Sequence, residues 1–289
     1  DIYYTQKSWV VDDLKSAEWI ENGPVRIVLR LIYRFCESDI VQDVIFYTKS
    51  RRIDFKTYVD WKQHQLLMKT EFEIDVNASE ATYDIQFGSL KRPTHKNTSW
   101  DGAKFEVCGH KWADVSEGGY GVSILNDCKY GHDIHDGKMT LSLIKSGILP
   151  NPTTDQEEHF FTYALLPHIG DYNAAYVQKE AYCLNVPAVA LRMEQDGNGT
   201  FDAASLFTLS ADNVIAETVK PAEDGSGIIV RMYEDHNART AVTLTWHTEM
   251  KRIVECDLME NEIGEAAEQI ADYTFTIKPF EIKTFKICE

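Results

Sequence analysis

Alternation of apolar and polar positions with a period of two runs through most of this chain. In RIVLRLIYRF, Ile27, Leu29, Leu31 and Tyr33 fall on one side, the pattern of a strand whose successive side chains point to opposite faces. IDFKTYVDW repeats it, with Ile53, Phe55, Val59 and Trp61 set against Asp54, Lys56, Tyr58 and Asp60. TYDIQF groups Tyr83, Ile85 and Phe87, and KMTLSLIKS groups Met139, Leu141 and Leu143. HFFTYALLPH, SGIIVRMYED, AVTLTW, RIVECDLME and DYTFTIKPFEIKTFKI read as further strands. The pattern predicts half-buried antiparallel strands with one face toward solvent.

Turn chemistry agrees. Asp136-Gly137 separates two alternating runs, a short-range hairpin signal. Gly118-Gly119 separates another pair, and GNGT at Gly197 to Thr200 marks a turn or linker. Helical periodicity is confined to short pieces near Ala203 and Glu265. The fold class is therefore all-β, antiparallel and sandwich-like. Polar, Gly- and Asn-rich sequence over residues 193–205 predicts a domain boundary. Beyond it lie enough strands for a small second sandwich. The chain shows no internal repeat and no low-complexity tract.

With 289 residues, 44% of them hydrophobic and 11% aromatic, the chain can fill one large core or two ordinary ones, which excludes a disordered polypeptide. A formal charge of −17 argues against nucleic acid and anionic membranes as partners, because a polyanion meets net repulsion. Neutral partners such as sugars stay open. No apolar run approaches the roughly 18 residues of a membrane span. Cys36, Cys108, Cys128, Cys183, Cys256 and Cys288 are dispersed without a CxxC pair, which reads as free thiols in a reducing, cytoplasmic setting. Against that setting, Asn77, Asn97 and Asn198 stand in N-x-[ST] sequons.

Three groups of residues carry candidate chemistry. GHDIHDG holds His132, Asp133, His135 and Asp136, good zinc or manganese ligands. On a strand His132 and His135 project to opposite sides of the pleat, so polar residues at a hairpin tip are the simpler reading. Asp101, Asp114, Glu117 and Asp127 lie close in sequence, as a glycosidase pair would, but retaining hydrolysis needs two carboxyls about 5 to 5.5 Å apart. Surface solvation accounts for most such acids. No GxSxG elbow, phosphate-cradling loop or dinucleotide fingerprint is present. The third group is KRPTHKNTSWDGAKFEVCGHKWADVSEGGYG, from Lys91 to Gly121. Its Arg92, His95, Asn97, Trp100, Asp101, His110 and Trp112 are residue types that bond hydroxyls and stack on sugar rings. The competing reading makes Trp100 and Trp112 core or interface anchors, with Asn97 and Asp101 satisfying loop backbone.

The run RPTHKNTSWDGAKFEVCGHKWADVSEGGYGVSILNDCKYG resembles the C-terminal region of glycoside hydrolase family 38 α-mannosidases, in the cytosolic and vacuolar branch with its bacterial relatives. The likeness continues through EEHFFTYALLPHIGDY, EAYCLNVP, ETVKPAEDG, IVRMYED, CDLMEN and IKPFEIKTFKI, over essentially the whole chain. DIYYTQK looks like the interior of that region's first strands, so the resemblance implies a truncated start. It implies a large antiparallel supersandwich, galactose mutarotase-like, over residues 1–195, followed by a smaller β-sandwich domain over 200–289.

The implied parent activity is retaining hydrolysis of α-mannosides, by a carboxylate nucleophile beside a zinc ion. In that family both belong to an N-terminal catalytic barrel, so the resemblance assigns no catalytic residue, metal ligand or cofactor to this chain. Its implied partners are its own N-terminal catalytic domain and a mannose-containing oligosaccharide, and the surface left uncovered by the missing part predicts an apolar patch or a contact with a second copy of the chain. Arg92, His95, Asn97, Trp100 and Asp101 carry over as candidates for touching substrate or for pinning the sandwich to the barrel, the latter preferred. Two other functions fit an all-β chain: a module that binds mannosides through the aromatic loop, and a mutarotase-like epimerase using a His and a Glu as acid and base.

Overall fold

The computed structural model describes residues 5, 7–192, 204–249 and 251–288. Most of DIYYTQK, the turn at Gly197–Thr200, Asn198, Ala203 and nearly all of the expected boundary at 193–205 lie outside the described residues. The chain divides into two compact units, Asp1–Ile85 with Leu90–Ala188, and Gln86–Ser89 with Val189–Glu289. Antiparallel sheets dominate both.

The first unit is built on a nine-stranded sheet. In spatial order its strands are Leu14–Asn22, Arg26–Phe35, Ser38–Tyr47, Ile53–Asp60, Glu158–Ile169, Tyr120–Asn126, Trp112–Ser116, Glu80–Ile85 and Gly88–Pro93. A four-stranded sheet accompanies it, ordered Leu67–Glu73, Lys138–Lys145, Gly131–His135 and Val107–Cys108. One core joins the two. Val59, Tyr83, Ala113, Val115, Val122, Ile124 and Tyr163 come from the larger sheet, and Ile134, Met139, Leu141 and Leu143 from the smaller. Burying such side chains stabilises by about 1.5–3 kcal/mol each relative to exposure. Aromatic pairs set the layers: Phe55 stacks on Tyr163 with centroids 5.0 Å apart, directly across their strand pairing.

The Asp136-Gly137 hairpin forms as expected. Its two residues take φ of 50° and 72°, the left-handed values that a two-residue type I′ turn requires, and His135 pairs with Lys138 across it.

Two readings of the pattern are corrected. The strands Trp112–Ser116 and Tyr120–Asn126 are buried on both faces, because a helix, Val177–Asn185, lies across them. Val177 and Ala181 pack there on Trp112, Leu125, Ala164 and Leu166. This helix was missed in the sequence because its N-cap, Tyr176, sits at φ 51° with no side-chain cap bond, so no Ser, Thr, Asp or Asn marks the start. The second correction concerns Glu265. No helix forms there; Ala267–Glu268 is a short strand on Arg252–Cys256. A few good helix formers fall short of the length that repays helix nucleation.

The second unit has a five-stranded sheet, Val214–Pro221, Ile228–Glu234, Ile282–Cys288, Arg252–Cys256 and Ala267–Glu268, and a three-stranded one, Phe207–Leu209, Thr240–Trp246 and Asp272–Ile277. Val230, Met232, Val242, Leu244, Trp246, Ile253, Phe285 and Ile287 form its core, with Phe207 stacked on Trp246 at 5.7 Å.

Candidate functional site

The strand Gly88–Pro93 delivers the chain into the RPTHKNTSWD segment. Thr94 anchors the exit, its N–H donating to Ser79 O at 3.0 Å and its hydroxyl to Ala78 O at 2.7 Å. Beyond it a single helical turn, Ser99–Gly102, is capped by Thr98. Thr98 Oγ1 accepts from the Asp101 N–H at 3.1 Å and donates to Asp101 Oδ2 at 2.7 Å. An acid three residues after a Thr N-cap is the spacing of a capping box. The Thr98 hydroxyl, helped by nearby Lys104 and His95, holds the Asp101 carboxyl below its ordinary value.

Arg92, His95 and Asp101 line one cavity of about 30 Å³. Asn97 and Trp100 are outside its lining. Asn97 is exposed and donates its N–H to His95 Nδ1 at 3.4 Å, while Trp100 is 81% exposed. Trp112, by contrast, is an anchor: it is buried, donates its indole N–H to Gln178, and stacks on Tyr172 at 5.1 Å. His110 leans on Tyr130 at 5.1 Å.

The far wall of the cavity comes from the GHDIHDG strand, which sequence reasoning set aside as hairpin decoration. His132, Asp133, Ile134 and His135 all line it. His132 shares a pleat face with Ile134 and is wholly buried. Its ring meets Tyr83 edge-on, centroids 6.0 Å apart, and Arg92 lies over the face of the same Tyr83, with Cζ 4.5 Å from the centroid. Such a stacked guanidinium is favourable by about 0.5–2 kcal/mol. Gly109 makes room: a Cβ there would come within 2.9 Å of His132 Cδ2 and 3.2 Å of Tyr83 Cδ1. The sequence signal for His132 was present, since Ile134 and His132 alternate in phase; what lay opposite them was not.

Electrostatics in the cavity are uneven. Burial pushes the His132 imidazole down to about 4, with Arg92 adding to the effect, so the ring is neutral near pH 7 and offers one donor and one acceptor. Neither ring nitrogen of His132, nor Arg92 Nη1, has a hydrogen-bond partner. Burial also holds the Arg92 guanidinium below its ordinary value. The lysines are matched: Lys96 Nζ is 3.6 Å from Asp133 and Lys104 Nζ is 3.7 Å from Asp101; His135 Nδ1 lies 3.0 Å from Asp133 Oδ1. Among the described residues no cluster of three or more His, Cys, Asp or Glu is arranged to hold a metal ion. These residues do not fit zinc: an arginine adjoins the buried imidazole, and the nearest carboxylate is already taken by Lys96.

The acids read as a potential glycosidase set have separate employments. Asp114 is buried, with His168 Nε2 2.7 Å from its Oδ1 and Ser123 donating to the same oxygen at 2.7 Å. Asp114 is thus the buried one of the four, while Glu117 is exposed. Asp127 accepts the Thr162 N–H at 2.9 Å, and Glu117 accepts the Asn77 N–H at 2.8 Å. All six cysteines are free, four of them exposed. Among the described residues no helix is long and apolar enough to cross a membrane.

Residues 1–153 match the model for the glycosyl hydrolases family 38 C-terminal domain, and residues 213–285 match that for the glycosyl hydrolases family 38 C-terminal beta sandwich domain. The chain is 39% identical over 281 residues to alpha-mannosidase G of Dictyostelium discoideum, covering 94% of this chain and 26% of that relative. It is 38% identical over 250 residues to alpha-mannosidase 2C1 of Homo sapiens, covering 85% and 24%. It thus spans about a quarter of the length of these curated relatives. The crystal structure of an alpha-mannosidase from Enterococcus faecalis V583 superposes with a TM-score of 0.77 at 17% identity, over 95% of this chain and 35% of that one, which shows a shared fold.

Proposed function

The chain belongs to the C-terminal region of family 38 glycosyl hydrolases, and from that premise we propose that it is the non-catalytic β portion of an α-mannosidase. In this reading a separate N-terminal catalytic domain, carrying a carboxylate nucleophile and zinc, removes terminal α-mannose from oligosaccharides. The present chain holds that domain in place through the segment from Arg92 to Asp101. The observation that carries the reading is the pair of C-terminal family matches on a chain spanning about a quarter of its relatives.

The exposed Trp100 supports a docking role, because a large aromatic left in water at the tip of a capped turn is the kind of group that anchors an interface. The free thiols support a reducing, cytoplasmic setting. The two family matches, over residues 1–153 and 213–285, support a division into a supersandwich over 1–195 and a small β-sandwich over 200–289.

The test is complementation. The purified chain alone releases no mannose from a chromogenic α-mannoside, with or without zinc, and restores activity when added to a separately produced catalytic portion. Trp100→Ala and Arg92→Ala weaken that restoration. Hydrolysis by the chain alone would overturn the reading, and so would calorimetric heat with mannose oligomers, which points to a carbohydrate-binding module instead.

A further inference from the structure

We propose that the cavity between Arg92 and His132 is an anion site that receives a carboxylate group. A buried polar group without a partner costs about 1–3 kcal/mol, and two residues that line this cavity carry several such atoms. His132 is wholly buried yet has two unpartnered ring nitrogens, and Arg92 Nη1 is buried and unpartnered beside the same Tyr83 ring. Both side chains line the space.

Charge narrows the ligand. Lys96 and Lys104 are each matched by an aspartate, Asp133 and Asp101, whereas Arg92 forms no ion pair with a carboxylate among the described residues. The lining of the cavity therefore carries one uncompensated positive charge within a chain of net charge −17. A guanidinium held on an aromatic face presents a fork that carboxylate and phosphate oxygens both match, and of the two the planar carboxylate is the smaller, as a cavity of about 30 Å³ requires. His132 lines the same space with a neutral ring.

Size sets how the ligand enters. About 30 Å³ exceeds the roughly 10–15 Å³ that seats one water, which admits the head of a carboxylate and excludes a sugar ring. A larger hollow of about 300 Å³ shares Thr94, His95, Ile134 and His135 with the cavity. A carboxylate head seated on Arg92 would leave its stem in that hollow. The carboxylate can come from a small free acid or from an Asp or Glu side chain of the catalytic portion. Only the second source rests on the function proposed above; the site itself does not.

The experiment is a titration of the 15N-labelled chain with sodium formate and sodium acetate at constant ionic strength, following the ring signals of His132 and the side-chain signals of Arg92 by NMR. Saturable shifts confined to the cavity are expected, and sodium chloride at the same strength does not reproduce them. Arg92→Gln, which keeps a donor and loses the charge, weakens binding by about ten- to a hundredfold, while circular dichroism and the remaining signals stay as in the parent chain. His132→Asn gives a second, smaller loss.

The same titration on the full-length parent separates the sources. Binding in both proteins assigns the site to a free carboxylate. Binding in the isolated chain alone assigns it to a side chain of the catalytic portion, already seated in the full-length protein. No saturable shift in either protein, or equal shifts in Arg92→Gln, overturns the anion site and leaves a cavity that holds only water. That result would leave the complementation test of the proposed function unaffected.

Discussion

Three glycines in one hairpin provide a direct test of how the first unit is held together. A Cβ on Gly121 would meet Ser116 Oγ at 2.6 Å and His168 Nε2 at 2.9 Å, and would press on His168 Cε1 as well. His168 is 4% exposed, with its Nε2 2.7 Å from Asp114 Oδ1 and 3.2 Å from Ser123 Oγ. Nothing lies within 4 Å of a Cβ on Gly118 or Gly119. Gly121→Ala therefore has to move a packed imidazole. Overpacking costs about 1–3 kcal/mol, and leaving the buried Asp114 short of a partner costs about 1–3 kcal/mol more. The expected loss is about 2–6 kcal/mol.

Gly118→Ala and Gly119→Ala have neither a clash nor a left-handed backbone to oppose them, so they are neutral or stabilising by up to about 1 kcal/mol through the unfolded chain. Urea unfolding followed by tryptophan fluorescence reads this well, because Trp9, Trp19, Trp61, Trp100 and Trp112 lie in the first unit. With a slope of about 2 kcal/mol per molar urea, the midpoint of Gly121→Ala falls by about 1–3 M. In a His168→Ala background the same substitution costs much less, since the obstacle is gone. A midpoint for Gly121→Ala within error of the parent chain refutes the reasoning, as does an equal cost in both backgrounds.

Trp112 and Trp100 separate an anchor from a surface group. Trp112→Ala loses about 3–5 kcal/mol of stability, whereas Trp100→Ala stays within about 0.5 kcal/mol and shows its effect only in the complementation assay; equal stability losses would contradict the assigned burial. His132 makes the first unit acid-sensitive. Its folded value of about 4 lies below the ordinary 6.5, so the unfolded chain takes up the extra proton. Stability is full above pH 6.5 and falls by about 3 kcal/mol as pH drops toward 4. Urea midpoints at pH 7 and pH 4.5 measure this, and His132→Asn flattens the slope; an unchanged slope in that variant removes His132 as the cause.

The all-β class, the Asp136-Gly137 turn and the strands around Met139 and Leu141 were legible from residue order alone. Each depends on interactions within a few residues: a pleat of period two, or a φ > 0 turn that Asp-Gly tolerates. The motif run from Arg92 to Gly131 likewise carried the family, because long ordered motifs need no geometry to be read. Tertiary structure decided the rest. Whether Asp114 meets solvent or His168, 54 residues away in the chain, depends on strand order, which no local period encodes. Double burial of Trp112–Ser116 depends on a helix whose start bears no cap signal. The partnership of Arg92 with His132 across Tyr83 exists only because Glu80–Ile85, Gly88–Pro93 and Gly131–His135 come together in the folded unit. Periodicity tells each side chain which way to point, and only the packed sheets determine what it meets there.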